Sequence, residues 1–298
     1  MRFVIIDLEW NNTYGKKIKG FFNEIIEIGA VLLDENLDVC DEFSCLLKAE
    51  VGKKLRSNTK EITHLTNEDL KNGVTFSKAV SMFRKWLGPD KDTVIMSWGD
   101  GDIRTLVDNC KYFGCGETIP FLYKYADLQK FFQRMIKSQE KQQIGLSRAA
   151  SMVGLDYENM SLHRALDDSR LSAMCFKKVY DEEIINEYIH ECDEDFYKRL
   201  RYKVKVISFI KNPLVDKSYL TYKCEKCGGK AKQLTAWKYS NQFFRANYYC
   251  KKCDHKVTVM VRFRKMYDST EIKKVIKPIV DEETVTTNND KGENDGTV

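Results

Sequence analysis

The chain has 298 residues, of which 43% are hydrophobic and 31% charged. That balance excludes a disordered polymer and a mainly membrane-embedded protein, and it leaves room for one α/β domain plus a smaller module. The net charge of +5 hides an asymmetry, because residues 196–265 carry 19 Lys and Arg against 3 Asp and Glu, leaving 30 against 41 elsewhere.

Arg2 to Leu8 alternate and end on acids, which predicts a strand. Glu24 to Leu33 and Val39 to Lys48 follow as two more, with a turn at Asp34 to Asp38, so an antiparallel meander is expected. The period then changes: Phe76, Ala79, Val80, Phe83 and Leu87 share one helical face in Thr75 to Leu87, which stops at Gly88-Pro89. Thr93 to Trp98 reads as a buried strand, Asp102 to Phe113 as a helix, and Phe121 to Ala126 as a strand. Helices are expected at Leu128 to Lys137, Leu146 to Val153 and Leu162 to Tyr180, the last with Ser161 as a candidate N-cap. The order is that of a mixed sheet flanked by helices, an α/β fold.

This predicts a first domain over residues 1–182, a helical linker over 183–204 and a basic, strand-rich module over 205–267. A polar tail over 268–298, most acidic and Gly/Asn-rich from Asp281, reads as disordered. The longest apolar stretch near the N-terminus, Phe3 to Ile6, is too short for a signal peptide or a membrane span, so a cytoplasmic location without membrane attachment is expected. His64 is read as part of a helix-turn and His190 as lying on a solvated helix face.

Asp7 and Glu9 stand two apart on the first strand, so their carboxylates point the same way, about 7 Å apart along the backbone. Two uncompensated acids repel each other and resist burial, and a divalent cation resolves that conflict; oxygen donors suit Mg²⁺ or Mn²⁺. Asp100 and Asp102 sit where a strand passes into a helix, at the sheet edge where open α/β folds place their sites, although either could simply cap that helix. In His163-Arg164-Ala165-Leu166-Asp167-Asp168 the histidine suits general-base work near neutral pH. Helix geometry leaves open whether Asp167 or Asp168 is its partner, with His163 on the turn that leads into the helix or in the first turn.

Asp7-Leu8-Glu9, Asp102 after Ser97-Trp98-Gly99, and His163 to Asp168 resemble the three motifs of the DEDDh exonuclease family, in its Eri/KapD-type branch. Glu24-Ile25-Ile26-Glu27-Ile28-Gly29-Ala30-Val31 and Ile62-Thr63-His64-Leu65-Thr66 are similar to further family signatures, and the resemblance spans residues 1–180. It implies an RNase H-like fold and 3′–5′ removal of nucleotides from single-stranded nucleic acid with a free 3′ end, RNA before DNA. It also implies Asp7, Glu9, Asp102 and Asp168 as ligands of two Mg²⁺ or Mn²⁺ ions, and His163 as the base. Asp100 and Asp167 then become neighbours. The sequence departs from the family pattern at Trp10, where a small or polar residue is usual, and at Gly101, where some relatives carry a base-stacking aromatic. A proofreading-type DNA exonuclease and a non-catalytic nucleic-acid adaptor are the competing readings; the five expected side-chain types count against the adaptor.

Of ten cysteines, six are scattered and read as small core hydrophobes. Cys224, Cys227, Cys250 and Cys253 form two CxxC knuckles separated by 22 residues, the signature of one tetrahedral Zn²⁺ in a zinc ribbon, with Gly228-Gly229 allowing the first knuckle's turn. His255 is an alternative to Cys253. Between the knuckles, aromatics alternate with cations, and Trp237, Lys238 and Arg245, with Trp10 of the first domain, are candidate nucleic-acid contacts; core packing is the competing role for the aromatics.

Overall fold

A computed structural model describes residues 1–14, 20–138, 142–158, 160 and 162–279, and the chain divides between Arg201 and Tyr202 into two compact units. Ser161, Asp281 and the residues beyond Asp281 lie outside the described residues.

In the first unit β1 (Arg2–Thr13), β2 (Phe22–Leu33) and β3 (Val39–Leu46) form the expected antiparallel meander. Strands β4 (Thr93–Ser97) and β5 (Lys124–Asp127) run parallel beyond β1, and β6 (His190–Glu191) closes the order β3-β2-β1-β4-β5-β6. The helices are α1 (Ser57–Thr63), α2 (Asn67–Lys71), α3 (Phe76–Leu87), α4 (Gly101–Tyr112), α5 (Leu128–Met135), α6 (Leu146–Met152), α7 (Ala165–Val179), α8 (Glu182–Asn186) and α9 (Glu194–Arg201). No described helix is long and apolar enough to cross a membrane.

Alternation along β1 sorts its side chains onto two faces. Val4, Ile6 and Leu8 enter one core with Phe76 and Phe83 of α3 and Ile103 and Leu106 of α4. Phe3 and Ile5 enter the other with Phe131 of α5 and Phe176 of α7. Asp7 and Glu9 continue this second face, so a buried apolar stripe becomes a pair of carboxylates within one strand. Contrary to expectation, β1 does not stop at the acids: it pairs on to Thr13 through a bulge between Glu9 and Trp10. Asp7 pairs with Gly29, and Glu9 with Glu27.

Helix α7 crosses β2 where Gly29 removes the side chain. A Cβ there would overlap the Ala165 carbonyl carbon and the Leu166 amide nitrogen. Two sequence-based expectations fail nearby. The helix begins at Ala165 rather than Leu162, because His163 takes a left-handed φ of 67° that breaks the helical path. Residues 183–204 are not a linker: β6 pairs with β5, and Tyr197 and Leu200 of α9 are buried in the first core. His190 therefore lies on a strand rather than on a helix face.

The second unit is a sheet of β7 (Lys205–Val206), β8 (Lys232–Gln233), β9 (Lys238–Ser240), β10 (Phe243–Cys250), β11 (His255–Lys265) and β12 (Thr270–Pro278). The module thus does not end at 267, and the tail expected to be disordered contributes β12, whose Ile272 and Ile276 pack against the second core. That core joins Phe244, Tyr248, Val259 and Phe263 to Tyr222 and Val215 from the preceding loops.

Replacing Gly29 with Ala is expected to destabilise the fold by about 3 kcal/mol, because backbone atoms rather than a flexible side chain oppose the new methyl. Urea unfolding checks this; an unshifted midpoint contradicts the tight α7–β2 contact.

Candidate active site and metal clusters

Carboxylate oxygens of Asp7, Glu9 and Asp168 all lie within 4.8 Å of one another. With Asp102, which is 5% exposed, these side chains line a cleft of about 410 Å³. Asp102 reaches it from the first turn of α4, where its Oδ1 accepts a hydrogen bond from the Leu8 amide at 3.2 Å. Burial first, then the charges of Asp102, Asp168, Glu9 and Glu27, raise the pKa of Asp7 well above the carboxylate range. Burial, then Asp168 and Glu27, pushes Glu9 up to about 8. Burial raises Asp102 to about 7 despite the Leu8 amide, and it also raises Asp168 although the His163 amide and imidazole oppose it. Among the described residues no lysine or arginine forms an ion pair with any of the four. A set of oxygen donors with unneutralised negative charge fits Mg²⁺ or Mn²⁺.

The N-terminus of α7 is fixed to β2 by more than the Gly29 contact. Arg164 makes a fork with Glu27, which is 1% exposed, at 2.7 and 3.1 Å, and the Ala165 amide donates to the same carboxylate at 3.4 Å. Ser169 Oγ donates to the Gly29 carbonyl at 3.1 Å. These bonds present Asp168 to the cleft. His163 stands on the turn before the helix, its amide donating to Asp168 Oδ2 at 3.2 Å; its side chain is exposed and does not line the cleft. The two neighbouring acids are occupied elsewhere. Asp167 pairs with Arg170 at 2.7 Å. Asp100 pairs with Arg104 at 2.8 Å, and although burial works against its charge, Arg104 more than offsets this and lowers its pKa.

Trp10, Trp98 and Gly101 line the cleft, and one wall is α1, through Asn58, Thr59, Ile62 and Thr63. The sequence marks Ile62 to Thr66 as a family signature and His64 as part of a helix-turn, but α1 is too short to show an apolar period that would give its extent. The wall is held by the buried Leu55 and Leu65 that flank α1 and by two polar side chains of the sheet. Glu24 accepts from the Val51 and Gly52 amides at 2.6 and 2.7 Å, and Asn11 bonds the Lys54 carbonyl and the Arg56 amide. His64 ends α1 with a left-handed φ of 58°.

In the second unit Cys224, Cys250, Cys253 and His255 offer ligand atoms within 4.8 Å of one another, and Cys227 Sγ lies 3.6 Å from Cys250 Sγ. All four knuckle cysteines therefore converge. His255 joins them rather than replacing Cys253, its Nε2 lying 4.0 Å from Cys224 Sγ. Burial opposes ionisation of Cys224, but the amides of Cys227 and Lys226 lower its pKa to about 7, favouring the thiolate. This sulfur-rich donor set fits zinc. Trp237 packs against Tyr248 at the edge of the second core, whereas Lys238 is exposed and pairs in register with half-buried Arg245.

A family model described as exonuclease (RNase T) matches residues 4–176. A curated relative, the probable 3′-5′ exonuclease KapD of Bacillus subtilis (strain 168), is 30% identical over 179 residues, covering 59% of this chain and 83% of that protein. Among solved structures, the nuclease domain of 3′hExo, a DEDDh family member bound to rAMP, aligns with a TM-score of 0.52 at 22% identity, covering 59% of this chain and 90% of that one. A 3′-exonuclease solved in 3′-end-specific recognition of a histone mRNA stem-loop aligns at 0.51 and 23% identity, covering 59% and 62%. These two share the fold.

Glu9 protonates more readily in the folded protein (about 8) than at its ordinary 4.5, so its contribution to stability is full below pH 4.5 and is lost as pH rises through 8. Dialysed free of magnesium and manganese, the protein should lose Tm over that window, and Glu9→Gln should have the higher Tm at pH 8 but not at pH 4.5. Added Mg²⁺ should narrow the difference, and parallel Tm curves for the two proteins would contradict the crowded carboxylates. Arg164→Ala should cost about 1–3 kcal/mol, less than a fully buried pair because Arg164 is 36% exposed, by leaving Glu27 uncompensated. Urea denaturation reads that loss, and turnover should fall with it as α7 shifts.

Proposed function

The chain belongs to the exonuclease (RNase T) family, and from that premise we propose that it removes nucleotides from the 3′ end of single-stranded RNA at the Asp7–Glu9–Asp102–Asp168 cleft. That it is a 3′–5′ exonuclease of the DEDDh type follows from the family; the substrate and the roles below are our reading.

The observation that carries this reading is the convergence of four carboxylates, Asp102 buried and the other three half-buried with oxygens within 4.8 Å, without a described cationic partner. Asp7, Glu9 and Asp168 hold divalent ions, Mg²⁺ or Mn²⁺, and Asp102 completes the set. Two bound ions supply charge neutralisation for the scissile phosphate and lower the pKa of a water molecule. Asp102 also ties the ligand strand to α4 through the Leu8 amide. His163 stands next to Asp168 at the mouth of α7, and in the role we assign it the exposed imidazole turns toward the cleft to accept the proton of the attacking water. Trp10, Trp98 and the α1 wall hold the terminal nucleotide. RNA is favoured by the ligands of two proteins of the same fold, rAMP for one and a histone mRNA stem-loop for the other. Zinc held by the four cysteines orders the second unit. The convergence of the four knuckle cysteines as a metal-type thiol cluster suits a reducing, cytoplasmic setting.

Incubation of 5′-labelled single-stranded RNA and DNA with the protein and Mg²⁺ tests this. A one-nucleotide ladder is expected, faster on RNA. Asp7→Ala should abolish it, and His163→Ala should slow it by about 10²–10⁴-fold. A faster ladder on DNA would replace the substrate, and tight binding without cleavage would leave an adaptor.

A further inference from the structure

We propose that the outward face of the second unit's sheet is a platform that holds the backbone of a single-stranded nucleic acid. The proposal rests on the exonuclease reading, to which it adds a second contact surface for the same strand.

Register decides which side chains share this face. Phe244, Tyr248, Val257, Val259, Val261 and Phe263 belong to the core, so their neighbours along β10 and β11 point the other way. Tyr249 is flanked by Lys232 on β8 and Lys256 on β11. In the next outward row Asn247 and Thr258 join Lys277 of β12. Lys238 and Arg245 form a third row, and Arg262 with Lys273 a fourth, next to which Phe243 lies under the Arg262 guanidinium at 5.1 Å. Arg264 sits opposite Glu271, the one acid at these outward strand positions against eight cations.

Eight cations and one acid on a face about 14 Å across select a polyanion. The chemistry narrows the choice to nucleic acid. Tyr249 offers a ring between Lys232 and Lys256, the combination that stacks a base while neutralising phosphates, whereas the Phe243 ring is already covered by Arg262. Asn247 and Thr258 add neutral hydrogen-bonding groups between the charged rows. The Nε atoms of Arg245 and Arg262 are buried without a hydrogen-bond partner among the described residues, and Arg262, its side chain 14% exposed, lies 3.8 Å from Glu271. Six of the 19 lysines and arginines of residues 196–265 thus share one surface, joined there by Lys273 and Lys277.

The test uses the full-length chain carrying Asp7→Asn to stop turnover, and a fluorescent 20-nucleotide single-stranded RNA. Lys238→Gln, Arg245→Gln and Lys273→Gln are combined in one variant, and Lys211→Gln, Lys217→Gln and Lys226→Gln, the same charge change off this face, in another. The face variant should bind about tenfold or more weakly, and its plot of log Kd against log salt should flatten by about 2, since each lost phosphate contact on a single strand removes about 0.7. The control variant should match the parent, and Tyr249→Leu should weaken binding about tenfold without changing the slope. Equal losses in the face and control variants would overturn the platform. So would poly-glutamate displacing the RNA as well as unlabelled RNA does, which would make the face a protein-binding one. Cleavage of thymidine 5′-p-nitrophenyl phosphate by the chain with Asp7 intact separates the two readings, because this small ester needs only the cleft. No cleavage means that the exonuclease reading has failed; cleavage with unaltered RNA binding in the face variant means that the platform alone has failed.

Discussion

The close approach of α7 to β2 at Gly29 is the constraint on which the acidic cleft depends. Asp168 meets Asp7 and Glu9 only because the first turn of α7 lies directly on the strand paired with β1, and only a residue without a side chain allows that distance. The Arg164–Glu27 fork and the Ser169 bond fix the helix against rotation and sliding. Glu27 is nevertheless a fifth negative charge beside the cluster, and it raises the pKa of Asp7 and Glu9. Arg164 satisfies Glu27 locally and slightly relieves Glu9, so the clamp adds order without neutralising the ligands.

Carboxylates this close are costly to keep ionised. Like charges about 5 Å apart repel by roughly 3 kcal/mol at the effective dielectric of a protein. The fold accommodates the ligand-free state by partial protonation, which the raised pKa values express, and an apolar core on either side of β1 supplies the stability that tolerates it. A divalent cation placed among these acids would take the place of those protons, so their mutual repulsion would favour its binding. In the cysteine cluster the shifts diverge: against burial, amides lower Cys224 to about 7, whereas hydrogen bonding to Cys227, then burial, raises Cys253 to about 12.

Much of the cleft was legible because strand alternation and motif spacing are local rules. Asp7 and Glu9 share a face as the period of two demands, and His163 stands before the helix as the angular argument allowed. What stayed hidden depended on distant partners. Acids usually mark a strand's end, and only pairing with β2 carries β1 through them to Thr13. In α9 the buried Tyr197 and Leu200 are set among charges and resemble a solvated helix until the core that receives them is known. Strand β12 alternates lysine with isoleucine so sparingly that its pairing with β11 was invisible. Which of Asp167 and Asp168 turns to the cleft likewise depends on a partner that spacing alone does not reveal, since Asp167 pairs with Arg170 while Asp168 lines the cleft.

The attachment of α1 has its own consequence. The four acids are anchored in the sheet, in α4 and in α7, whereas the wall formed by Asn58, Thr59 and Ile62 is held by Glu24 of β2, by Asn11 beyond the bulge in β1 and by the buried Leu55 and Leu65 that flank it. A substitution on the exposed side of α1 can therefore reshape that wall without touching the elements that carry the carboxylates.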